Sequence, residues 1–459
     1  MPRYKLITVV LAAALLGVCG LSFLVAYNVY RAFETSHVRF RFFENATESA
    51  VITETLRFDV QPPASLVIDT AAGDVTVRAD ASLDGGTVVV EQTITAWAGT
   101  AAAALAGAKA IAVRVEHTPK AVRITYERPD ELDIGGRGGR RDTASFDVRV
   151  PTRTDVNLRT DGGAIDLGGI EGTAELATSF GDVSAIDVRG ALSADSMNGR
   201  LTIERVQAGD GDVTLSSSFG AISAHDVAGR AVTLRSNNGT LTAAGITAWG
   251  EAHVESDFGD LEVRDVTAGR LTLGTQNGAV NAAHGRIEGA VSAESTFGDV
   301  TLTDVLGQAY TVASTNGGVT LAGGSGDLDL SSNFGDVTVT GAADARLHLS
   351  SNNGDIDFSG SLDPASDHRV DTDFGGIRLA LPADSRFDVR LETSFGKIRS
   401  DLPVLVSGEV ADNGWSGALN GGGRRLDAST KNGDIDLVAL TATVTITSTP
   451  TPRPRGARR

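Results

Sequence analysis

The sequence predicts an all-β protein, a parallel β-solenoid (β-helix) of ~19-20-residue coils, with one N-terminal transmembrane helix and one short inserted helix. Three observations lead there. Glycine is abundant and proline scarce (54 against 12), aromatic residues make up 5% of the chain, and Val, Thr, Asp and Ser are plentiful, a mixture that favours strands and turns over helices. A unit of the form Ser/Thr-x-x-Gly-x-aliphatic returns at intervals of 18 to 21 residues. Its hydroxyl and aliphatic positions are filled without exception from Thr178 and Val183 to Thr430 and Ile435.

The hydrophobic share of 41% is enough to bury a core, and the formal net charge of -18 argues against nucleic acid as the main partner. Cys19, the single cysteine, leaves no disulfide framework and no thiolate metal cluster. Residues 1–30 read as a short cytoplasmic stub and a transmembrane signal anchor. Arg3 and Lys5 precede an apolar run over 6–26, which at ~1.5 Å per residue spans a hydrocarbon layer of roughly 30 Å. Hydrophobic residues continue past Cys19, and Val18 stands where a lipoprotein box needs a small residue; an uncleaved anchor is therefore the preferred reading, with a cleaved signal sequence as the alternative. The basic residues before the span keep the N-terminus in the cytoplasm and place the main domain outside a single-pass cell membrane.

Residues 31–55 read as a juxtamembrane connector, with "VRFRFF" a candidate strand or membrane-surface contact. Residues 56–160 form an N-terminal β-rich part of the solenoid domain, and "SLVIDTAAGDVTVRA" already holds the repeat in weak form. The Ala-rich stretch 98–110, with Thr100 as candidate N-cap, is the one helix expected outside the membrane. The Gly/Arg stretch 134–141 lacks the Lys-Ser/Thr of a phosphate loop and is expected to be a surface loop.

Regular repeats occupy residues 161–400. Their turn dipeptides alternate: Phe180-Gly181, Asn198-Gly199, Phe219-Gly220, Asn238-Gly239, Phe258-Gly259, Asn277-Gly278, Phe297-Gly298, Asn316-Gly317, Phe334-Gly335, Asn353-Gly354 and Phe374-Gly375. The rhythm then breaks, with Phe395-Gly396 following directly and Asn432-Gly433 closing the series. Side chains two apart on a strand share a face, so the aliphatic, hydroxyl and Phe/Asn columns are all expected to point inward. A buried hydroxyl needs a partner, and coils stacked at ~4.8 Å bring each hydroxyl over the next and over adjacent backbone. A meander of hairpins would separate like positions by an intervening strand, and no ladder would form. Asn-Gly suits a left-handed corner, and Phe alternating with Asn lets each inward ring spread over two levels. Asn277→Phe is accordingly expected to overpack the corner. Residues 401–445 read as an irregular cap and a last coil, and residues 446–459 as a disordered basic tail.

"SLVIDTAAGDVTV", "FDVRVPTRTDVNLRTDGGAIDL" leading into "GGIEGTAELATSFGDV", the recurrent unit and the closing "STKNGDIDL" together resemble the bacterial "putative adhesin" β-strand-repeat domain family, over roughly residues 56–440. The resemblance implies an envelope β-solenoid of unknown function and brings no catalytic residues.

Chemistry is sparse. Calcium needs six to eight oxygens. The Asp after the turn glycine mostly recurs on every second coil, and only Asp336 and Asp355, on adjacent coils, make a weak candidate metal pair. His225, His253 and His348 show no metal-ligand spacing, and no Gly-x-Ser-x-Gly elbow is present. No cofactor is expected. The function expected is a membrane-anchored, non-enzymatic, adhesin-like binding or scaffolding protein of the cell envelope, partnered by the membrane through residues 6–26 and by an envelope polysaccharide or another envelope protein. The alternatives are a regulatory ectodomain in envelope-stress signalling and a polysaccharide lyase or hydrolase on a β-helix.

Overall fold

A computed structural model describes residues 47–127, 142–407 and 412–440. The expected anchor over 6–26, the "VRFRFF" stretch, the Gly/Arg loop 134–141 and the basic tail 446–459 lie outside them. Among the described residues no helix is long and apolar enough to cross a membrane.

Each coil contributes two strands that meet at the repeated glycine. In the coil of Gly298 these are Ala290–Ser295 and Val300–Leu306. Both pair in parallel, in register, with the next coil: Ser295 with Ser314, and Val300 with Val319. The same register carries Thr178 onto Ser196 at one end of the series and Ser351 onto Thr372 at the other. Like therefore lies over like along the stack, and the aliphatic column from Val183 to Ile377 is buried in one continuous core. Outward residues alternate with it, as period-2 strands require.

A second bend lies six residues after the glycine. Gly169, Asp187, Arg205, Asp226, Gly245, Asp265, His284, Asp304, Gly323 and Gly341 occupy it on successive coils, with φ between 48° and 90° at each of them. Left-handed backbone selects Gly, Asp, Asn and His over β-branched residues, which accounts for the composition of this column. The expected left-handed glycine corner is corrected by the same observation: beyond Gly73 and Gly163, the corner glycines do not lie in the left-handed region.

Both ends are threaded out of sequence order. The coil of Ala64–Thr70 and Val75–Ala79 lies between the strands Ala121–Tyr126 and Thr143–Val150 on one side and Thr154–Thr160 and Ile165–Gly168 on the other. At the far end, Arg424–Thr430 and Ile435–Ala439 insert between the coil of His368–Thr372 and Ile377–Leu381 and the coil of Phe387–Thr393 and Ile398–Ser400. The chain's last coil is thus the penultimate level of the stack. In space the turn residues run Phe374, Asn432, Phe395, so the alternation broken in sequence is intact in three dimensions.

Antiparallel strands close the two ends. Gly414–Leu419 pairs with Phe387–Thr393, and Glu48–Asp59 with Thr87–Ala98, which pairs in turn with Thr143–Val150. Unpaired strand edges are thereby covered. Glu48–Asp59 begins inside the stretch expected to be a connector. Helix α1, Ala101–Ala110, packs on the same two N-terminal strands; Thr100 caps it by accepting from the Ala103 N–H at 3.2 Å, and buried Ala104 and Ala108 allow close approach.

Candidate functional site: the glycine corner

The corner is built from the hydroxyl upward. Thr160, Thr178, Ser196 and their successors to Thr393 are buried, and each hydroxyl donates to the glycine carbonyl of the neighbouring coil at 2.8–3.3 Å. Ser314 to Gly298 and Ser332 to Gly317, each at 2.8 Å, are examples. These bonds satisfy every hydroxyl of the column, at about 1 kcal/mol each. The column also explains the glycine. A Cβ on Gly317 would land on the Gly298 carbonyl, and the same coincidence recurs down the column. Glycine is required here by the approach of one coil's backbone to the next.

Aspartate at the following position closes a gap in the ladder. Asp182 Oδ1 accepts from the Arg200 N–H, Asp260 Oδ1 from Ala279, and Asp299 Oδ1 from Gly318, each at 2.8 Å. The weak metal candidates belong to this set: Asp336 accepts from the Asp355 N–H at 2.8 Å, and Asp355 from the Gly376 N–H at 2.7 Å. Each carboxylate thus holds the next coil's corner. Asp434 does so for Lys397 at 2.8 Å, and this bond together with Arg399 at 2.8 Å lowers its pKa. Among the described residues no group of three or more His, Cys, Asp or Glu is placed to hold a metal ion.

The phenylalanines correct the inward expectation. Phe180, Phe219, Phe258, Phe297, Phe334, Phe374 and Phe395 are 55–82% exposed. From Ser217 onward strand geometry ends at the hydroxyl, and the three residues from there to the glycine bend around the corner; the first two strands, Ala174–Phe180 and Leu192–Asn198, run on to the residue before it. Period-2 parity does not carry across that bend, so the residue before the glycine swings outward while the aliphatic residue after it returns to the core. Asn238, Asn277, Asn316, Asn353 and Asn432 are exposed on the intervening levels, and Asn198 is half-buried. The result is an edge of phenyl rings two coils apart, ~9.6 Å by strand spacing.

Other groups are dispersed. His253 Nε2 lies 3.1 Å from Glu255, and His348 Nδ1 lies 3.2 Å from Asp329; His225 is exposed elsewhere. A shallow recess of about 240 Å³ is lined by Glu262, Arg264, Asn281 and Thr301 among others, and its carboxylate is spoken for by Arg264 at 3.6 Å. It is smaller than the ~300 Å³ at which ligand pockets usually begin. His368, not singled out from sequence, is buried near the C-terminal end. Its Nδ1 accepts from the Leu347 N–H at 3.3 Å, Nε2 donates to the Asp363 carbonyl at 3.0 Å, and the ring meets Phe387 edge-on at 5.1 Å. Burial lowers its pKa.

Two solved structures are similar in part: a "putative cell adhesion protein" from Clostridium sporogenes, 7% identical over 84% of this chain and 100% of that one with a TM-score of 0.16, and a "putative adhesin" from Bacteroides fragilis, 10% identical over 67% and 97% with a TM-score of 0.24. No curated protein matches. A family profile described as Toastrack DUF4097 matches residues 65–322 and 290–438, and the chain belongs to that family.

Proposed function

We propose that the chain is a non-enzymatic, adhesin-like binding or scaffolding element of the bacterial cell envelope, held by residues 6–26 in the cell membrane with its solenoid outside, and that it makes its contacts along the phenylalanine edge. The row of exposed rings carries this reading. Seven large apolar side chains in line form the kind of patch that marks an interaction site, whereas the other exposed apolar side chains, Trp249 and Leu306 among them, do not recur coil after coil. Their burial contributes nothing to the core, which the aliphatic column supplies. A rod that presents one repeated contact favours an extended partner and distributes affinity over many equivalent positions. The test is made in intact bacterial cells producing the full chain. External protease should remove the solenoid domain. In-cell cross-linking should trap the chain in complexes larger than the monomer, and the triple variant Phe258→Ser, Phe297→Ser, Phe334→Ser should lose them. Protection from protease, or complexes indifferent to the triple variant, would refute the proposal.

A further inference from the structure

The alternation along the edge makes it complementary to itself, and we propose that the partner seated there is a second copy of this chain, lying antiparallel, with the phenyl rings of each copy over the asparagines of the other. The inference rests on the edge being a binding surface. A two-fold axis perpendicular to the rod, passing between the levels of Asn277 and Phe297, brings Phe297 opposite the partner's Asn277. It also brings Phe258 opposite Asn316, Phe334 opposite Asn238, Phe219 opposite Asn353, Phe374 opposite Asn198 and Phe180 opposite Asn432. The last pairing exists only because the chain's final coil is threaded between those of Phe374 and Phe395. A ring therefore always meets a smaller, polar side chain, and rings of the two copies interleave at ~4.8 Å instead of colliding. Such a contact is isologous and closes at two copies.

Charge along the flank fits the same arrangement. The column after the glycine faces its own counterpart across the axis, and Asp299 then meets Ala279, Asp260 meets Gly318, Asp336 meets Thr240 and Asp355 meets Ala221. The one acidic encounter, Asp182 with Asp434, falls at the ends, where Asp434 is already paired with Arg399 at 2.8 Å. The area is also adequate. Rings about 60% exposed, on aromatic side chains that bury roughly 200 Å² when covered, give about 700 Å² from the six engaged phenylalanines. With the flanking columns added, each copy reaches the ~800 Å² of a stable interface.

The test uses the full chain in detergent. Sedimentation equilibrium should return twice the chain mass of 47.4 kDa. The Phe258→Ser, Phe297→Ser, Phe334→Ser variant should return the monomer mass with an unchanged circular dichroism spectrum. Asn277→Phe, which sets ring against ring, should weaken the dimer at least tenfold without loss of fold. For orientation, in a Cys19→Ser background, Phe180→Cys mixed with Asn432→Cys should cross-link on mild oxidation, and Phe180→Cys alone should not. A monomer at every concentration, a dimer indifferent to these substitutions, or cross-linking of Phe180→Cys to itself would overturn the inference. If the chain is monomeric while the triple variant still abolishes complexes in cells, self-association fails and the edge remains a binding surface for another partner. If neither changes, both readings fall.

Discussion

Two adjacent glycines with opposite expected responses give the sharpest test of coil stacking. Gly317 stands at the corner, where a Cβ would land on the Gly298 carbonyl; one residue on, a Cβ at Gly318 would find its nearest neighbour, the Asp336 carbonyl, at 3.4 Å. Gly317→Ala must therefore push two coils apart at that corner. Separation weakens the bonds from Ser314 to Gly298 and from Ser332 to Gly317, both 2.8 Å, at about 1 kcal/mol each. Overpacking adds about 1–3 kcal/mol, and stiffening of the unfolded chain returns about 0.4–1 kcal/mol, leaving a net loss of about 2–5 kcal/mol. At Gly318 only the unfolded-chain term applies, because neither position is left-handed and the Gly318 N–H keeps its bond to Asp299. Gly318→Ala should be neutral or stabilising by up to about 1 kcal/mol. Urea unfolding followed by circular dichroism measures both. Equal midpoints for the two variants, or a Gly317→Ala midpoint at or above that of the parent chain, would refute the stacked corner.

Three further outcomes are expected. In the monomeric Phe258→Ser, Phe297→Ser, Phe334→Ser background, Asn277→Phe should shift folding stability by no more than about 0.5 kcal/mol, the range of exposed substitutions, since the ring points to solvent there; a marked fall in melting temperature in that background would return the column to the interior. Asp265, at φ 53°, should tolerate Gly but lose about 1–2 kcal/mol on conversion to Val, and equal urea midpoints for Asp265→Gly and Asp265→Val would remove the left-handed bend. His368 supplies a pH dependence. Its folded pKa lies below the unfolded value near 6.5, so the unfolded state binds the extra proton, and the stability present above that pH declines as pH falls through it, by up to about 1.4 kcal/mol per unit. Protonation also costs the Leu347 N–H its acceptor, while Asp363 and Asp367 nearby oppose the shift and Arg346 reinforces it. Melting scans from pH 7.5 to 5 should show a steeper decline for the parent chain than for His368→Gln; parallel curves would exclude this role.

Much of the stack was legible in the sequence because stacking imposes identity. A Ser or Thr at each of thirteen positions makes sense only if every one meets the same neighbour, and the hydroxyl-to-glycine bonds are that neighbour. The helix was equally plain, from Thr100 and the alanines after it. Orientation of the phenylalanines was not, because counting by twos assumes a strand, and from Ser217 onward the corner is three residues of bend. The left-handed column carried a signal in its Asp, Gly and His residues, spread over intervals that vary by up to three residues and so easily passed over. Threading at the ends had its trace in the broken Phe/Asn rhythm at Phe395. Sequence order hid its meaning, since the coil that restores the alternation arrives 37 residues later, a separation seen in the bond from Lys397 to Asp434. The Asp column announced carboxylates but not their targets: a main-chain N–H on the next coil leaves no mark in side-chain composition.

The central claim is that each coil advances the chain by one strand spacing along a single axis, with the final coil threaded inward. Spin labels on the exposed edge measure that advance directly, in a Cys19→Ser background diluted with unlabelled chain. From a label at Phe180, the distances to labels at Phe258 and Phe334 should be about 19 and 38 Å, and Asn432 should lie about 5 Å nearer to Phe180 than Phe395 does. Distances that fail to double between Phe258 and Phe334, or that place Asn432 beyond Phe395, would contradict the stack.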